Sequence, residues 1–101
     1  MNERRASKRR PLDVFFNKFM AGYPYLCRSV DVSETGVLVE TYAEPDTDAE
    51  RFALELRFPG DGDSLWLWAK AVRSEGKLQA FEFVSVPRGA QRHLRRWLEP
   101  A

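Results

Sequence analysis

A chain of 101 residues with 44% hydrophobic and 13% aromatic content can build one core, and has no length for a second module of ordinary size. Its 31% charged residues sum to a net charge of only +1, and a pI near 7.9 argues against a protein that grips duplex DNA through many phosphates. Cys27 is the only cysteine, which excludes an internal disulfide and suits the cytoplasm, and no apolar run approaches the roughly 20 residues of a membrane helix.

In chain order, Arg4, Arg5, Lys8, Arg9 and Arg10 crowd a segment without hydrophobic periodicity that stops at Pro11, so residues 1–11 are expected to form a flexible basic arm and residues 12–101 the folded domain. Leu12 to Met20 reads as a first strand. Ala21-Gly22-Tyr23-Pro24 supplies turn chemistry, and Tyr25 to Val32 reads as the return strand of a hairpin. Gly36 to Thr41 gives a third strand, followed by an acidic surface loop without apolar residues between Ala43 and Ala49. In the fourth, Phe52 to Phe58, Leu54, Leu56 and Phe58 alternate with Glu55 and Arg57, the pattern of a half-buried strand.

Pro59 to Asp63 breaks the chain before Leu65 to Arg73, whose two faces carry Leu65, Leu67, Ala69 and Ala71 against Trp66, Trp68 and Val72. Glu75-Gly76 turns the chain into Gln79 to Val86. After Pro87 the period changes: Ala90, Leu94, Trp97 and Leu98 form one helical stripe, with Arg88, Arg92, Arg95 and Arg96 on the rest of the surface. Six short strands with close turns and a terminal helix predict a mainly β fold, a small six-stranded antiparallel barrel whose closure protects its edges. The three tryptophans are expected to serve as core and helix contacts.

Catalytic and metal chemistry find little support. His93 and Cys27 stand alone, far apart in sequence, and no Ser or Cys nucleophile has a base and an orienting group. Asp46-x-Asp48-x-Glu50 opens like a calcium loop, but Arg51 stands where the sharp turn needs Gly and Arg57 where the bidentate Glu belongs. No enzyme, no metal and no cofactor are expected.

Two elements remain. Arg5-Ala6-Ser7-Lys8-Arg9 has the form Arg-x-x-x-Arg just before the first strand, and Asp31-Val32-Ser33-Glu34-Thr35-Gly36 has the form Asp-x-Ser-x-x-Gly at the exit of the second. Alone, the first is the solvated tail that short basic termini usually are, and the second is compatible with an ordinary turn. Together and in this order they resemble the signature of the PilZ family. The strand-rich body, the late Phe81-Glu82-Phe83 strand and the terminal amphipathic helix extend that resemblance over nearly the whole chain.

The resemblance implies a non-enzymatic receptor for cyclic di-GMP, with Arg5, Arg9, Asp31, Ser33 and Gly36 in the site. Arg4, immediately before the Arg-x-x-x-Arg element, implies capture of a stacked ligand dimer. The residue types suit such a ligand. Guanidinium groups fork onto phosphate and onto the O6/N7 edge of guanine, and stack on purine faces. The Asp31 carboxylate matches the N1-H and N2-H donors of guanine's other edge. Ser33 supplies a small hydroxyl within a tight turn, and Gly36 allows positive φ or close backbone approach. Arg10 and Lys8 would raise the local positive potential.

Output would pass to a partner protein, in motility, biofilm or other surface behaviour. A rival reading is a ligand-independent adaptor of the same family for pilus or motility machinery. A barrel for single-stranded nucleic acid ranks last, because basic residues avoid the strands.

Overall fold

The computed structural model describes residues 9–99 except 46, 61 and 63. Seven strands, β1 (Arg10–Pro11), β2 (Phe15–Met20), β3 (Tyr23–Val32), β4 (Gly36–Thr41), β5 (Arg51–Leu56), β6 (Leu65–Glu75) and β7 (Leu78–Ser85), precede one helix, α1 (Arg88–Leu98). All neighbours are antiparallel, in the order β1-β3-β2-β5-β6-β7-β4, and β4 also pairs with β3. That last pairing closes β2 to β7 into a six-stranded barrel, leaving β1 as an extra strand beside the end of β3.

Local chemistry fixes the hairpins. Ala21 and Gly22 both take positive φ, 52° and 84°, so β2 and β3 meet through two residues whose twist matches the strands. The turn is tighter than the sequence suggests: Tyr23 and Pro24 already belong to β3, and Pro24 sits opposite Phe19. Gly76, at φ 61°, serves the same purpose between Glu75 and Leu78.

Period-two alternation fills the interior. Phe16 and Met20 of β2, Cys27 and Val32 of β3, Val37 and Val39 of β4, Phe52, Leu54 and Leu56 of β5, Leu67 and Ala69 of β6, and Phe81 and Phe83 of β7 are all buried. Each large side chain withdrawn from water contributes about 1.5–3 kcal/mol. Ala90, Leu94 and Leu98 of α1 join this core, and Trp97 and His93 lie against Phe58 with ring centroids 5.4 and 5.1 Å away. Desolvation pushes the Cys27 thiol up to about 12, which keeps it protonated and unreactive at neutral pH.

Two expectations change. Trp66 and Trp68 are not core residues: both point outward, 54% and 57% exposed, with Trp66 against Phe19 at 5.3 Å. The acidic loop is not wholly solvated either. Lys18 occupies an inward position of β2 between Phe16 and Met20 and is 1% exposed. Its ammonium lies 2.7 Å from Glu44 Oε1 and 3.1 Å from Gln79 Oε1, above the rings of Phe52 and Phe81. Glu44, in the loop after β4, is thereby drawn to the barrel.

Candidate functional site

A β-bulge decides where Asp31 points. Ser29 pairs with Val39 but Asp31 pairs with Leu38, so Val30 is an extra residue in β3. Cys27 and Ser29 face inward; unbroken alternation would send Asp31 inward as well. The extra residue reverses the parity, turning Asp31 to the outer face and Val32 into the core.

On that face Arg9 donates through Nε and Nη2 to Asp31 Oδ1, at 2.8 and 2.7 Å. The pair is held close because β1 is in register with β3, Pro11 opposite Asp31 and Arg10 opposite Val32. Leu12 N donates to Val30 O, and Ser29 N donates to Val14 O, which fastens the chain just after β1 to the same strand. The root of the basic arm is thus fixed beside the carboxylate. Arg4, Arg5 and Lys8 lie outside the described residues.

Ser33 and Gly36 act through the turn between β3 and β4. Ser33 is fully buried, and its hydroxyl accepts from the backbone N–H groups of Thr35 and Gly36, each at 3.2 Å, while Ser33 N donates to Gly36 O at 2.8 Å. The serine's hydrogen bonds are spent on shaping the turn. Gly36 does not need positive φ. It pairs with Glu82 of β7, and a Cβ there would fall inside van der Waals contact of the Phe81 carbonyl oxygen. Of the two uses of glycine that the sequence leaves open, close backbone approach is the one found.

That constraint gives a first prediction. Gly36→Ala must push β4 from β7 or displace Phe81, a strain of about 1–3 kcal/mol visible as a lower urea midpoint. A midpoint equal to wild type would show that the approach is not tight.

Beside the turn lies a cleft of about 380 Å³ on the outer face of the barrel, lined by Arg9, Thr35, Gly36, Leu38, Val72, Arg73, Ala80, Phe81 and Glu82. β4 contributes Gly36 and Leu38 to it, and β7 contributes Ala80, Phe81 and Glu82. Among the sequence candidates, Arg9 and Gly36 line it directly, while Asp31 is bonded to Arg9 and Ser33 to the backbone of Gly36. Arg73 is not legible in the sequence, because period-two alternation gives no sign of the bulge at Val72, between Ala71 and Arg73, that exposes it.

Helix α1 is tied to both parts of the site. Arg10 does not stand free as a source of potential: its guanidinium stacks on Trp97, 4.1 Å from the ring centre, and donates to the Trp97 carbonyl. Arg95 Nε donates to Glu34 Oε1 at 3.2 Å, joining the helix to the Ser33–Gly36 turn. One of the helix arginines read as a solvated face is therefore a contact.

The family model for the PilZ domain matches residues 3–99. The chain belongs to the PilZ family. No curated protein matches it by sequence, but solved PilZ structures share its fold. The PilZ domain of YcgR from Escherichia coli, solved with c-di-GMP, is 18% identical at a TM-score of 0.66, covering 95% of this chain and 89% of that one. The inhibitor of motility MotI/DgrA of Bacillus subtilis is 17% identical at a TM-score of 0.72, covering 96% and 50%. The PlzA protein of Borreliella burgdorferi, in complex with c-di-GMP, is 15% identical at 0.63, covering 98% and 38%. This PilZ chain thus spans most of the first structure but half or less of the other two.

Proposed function

We propose that this PilZ domain is a non-enzymatic cytoplasmic receptor for cyclic di-GMP, which it takes between the basic arm and the outer cleft, and that closure of the arm regulates a partner protein in motility or biofilm behaviour. The observation that carries the reading is the Arg9–Asp31 pair at the edge of the cleft, with the arm's root registered against β3. A phosphate-seeking donor and a guanine-matching acceptor stand together there, on the face where the arm emerges. The c-di-GMP complexes of YcgR and PlzA agree with it.

In this reading Asp31 receives the N1-H and N2-H donors of a guanine, and Arg9 and Arg5 fork onto phosphate or the O6/N7 edge. Ser33 and Gly36 hold the turn and let the ligand lie close to the backbone. Arg4 extends the site to a second, stacked molecule. Folding the arm over the ligand costs conformational entropy, offset by charge-assisted bonds of about 1.5–3 kcal/mol each, so affinity falls as salt rises.

Titration calorimetry with cyclic di-GMP, against GTP and cyclic di-AMP, tests the proposal. Selective binding of cyclic di-GMP, at two molecules per chain, is expected. Equal binding of all three nucleotides, or none, would refute it.

A further inference from the structure

A bulge at Val72 repeats what the one at Val30 does for Asp31. In β6, Ala71 pairs with Phe81 but Arg73 pairs with Ala80, so Val72 is the extra residue. Leu67 and Ala69 face inward, and unbroken alternation would place Arg73 in the core. The bulge delivers it to the outer face instead, where it lines the same cleft as Arg9.

Asp31, Leu38, Ala80 and Arg73 are successive partners across β3, β4, β7 and β6. They form one row on the outside of the barrel. An acceptor stands at one end and a donor fork at the other, roughly 14 Å apart along the sheet at ordinary strand spacing. The two residues between, Leu38 and Ala80, are apolar and half-buried.

The charges are not equivalent. Arg9 is bonded to Asp31, and Glu82 lies 3.5 Å from Lys70. Arg73 has no carboxylate partner among the described residues. It can meet an incoming anion or acceptor edge without first giving up an ion pair to a described carboxylate.

Resting on the receptor reading above, we propose that Arg73 is a specificity-determining residue for the ligand: it donates as a fork to the O6/N7 edge of the guanine farthest from Asp31. A molecule with two guanines is then read at both ends, by a carboxylate on one and a guanidinium on the other. Guanine offers two acceptors on that edge, whereas adenine replaces O6 with an amino donor that a guanidinium cannot pair with.

The test compares cyclic di-GMP with the hybrid cyclic GMP–AMP on wild type, Arg73→Ala and Arg73→Lys by calorimetry. Wild type should prefer cyclic di-GMP. Arg73→Ala should weaken cyclic di-GMP by roughly ten- to hundredfold and bring it to the level of the hybrid, whose own affinity changes little. Arg73→Lys keeps a donor that reaches O6 and N7 but loses the planar fork, and should restore the preference only in part.

Unchanged cyclic di-GMP binding by Arg73→Ala would overturn the proposal. So would an equal loss for both ligands that lysine restores equally for both, since that assigns Arg73 to a phosphate they share. Failure of wild type to bind cyclic di-GMP would instead strike the receptor reading itself.

Discussion

Asp31→Ala is expected to weaken cyclic di-GMP binding by about 2–5 kcal/mol, on the order of thirty- to several-thousandfold, while leaving the fold intact. The size comes from what the ligand loses. Guanine presents adjacent N1-H and N2-H donors, and a carboxylate has two oxygens to meet them; without it those donors are covered and unpaired. Both Arg9 contacts fall on Oδ1.

The fold survives because the Arg9–Asp31 pair is partly exposed, 48% and 25%, and pairs of that kind add only about 0–1 kcal/mol. Calorimetry and a urea melt on one preparation check both halves. A melt shifted far down, or binding within twofold of wild type, would contradict the assignment of Asp31 to the base.

The largest effect on stability is expected at Lys18. Its ammonium is buried against Phe52 and Phe81 and held by Glu44 and Gln79. Lys18→Ala removes the packed stem and strands Glu44 beside the barrel. Glu44 Oε2 is already buried without a hydrogen bond among the described residues. Loss of the stem and of the counter-charge together should cost about 2–4 kcal/mol, less than a rigid buried pair because the Glu44 loop can swing out to water.

For a domain of this size that is a fall in Tm of roughly 10–20 °C. Lys18→Met keeps the stem and should recover part of the loss. Thermal unfolding of the two variants separates packing from charge; a Lys18→Ala melt equal to wild type would show that the ammonium adds nothing.

Strand parity separates the residues legible in the sequence from those that are not. Gly36–Thr41 and the stripe Ala90, Leu94, Leu98 follow undisturbed periods and are legible without coordinates. Closed antiparallel architecture follows from the same alternation. Asp31 was legible only through its motif, since a period-two count from Cys27 and Ser29 puts it inside; the Val30 bulge is what contradicts the count. Arg73 has no motif, and the Val72 bulge hid it.

Lys18 misled in the opposite sense. Its position reads correctly as strand, but nothing in the sequence announces an interior ammonium until the loop carboxylate that meets it is placed. Trp66 and Trp68 show the converse: bulk suggested burial, while register put the aliphatic residues inside and the indoles in solvent.

The most direct test of the account is an NMR titration that follows every backbone amide as cyclic di-GMP is added. Shifts concentrated at Arg9, Asp31, Thr35, Gly36 and Arg73, with new protection in the basic arm, are the predicted result. Shifts confined to the Trp66–Trp68 face, or arm amides whose exchange the ligand leaves unchanged, would place the ligand elsewhere.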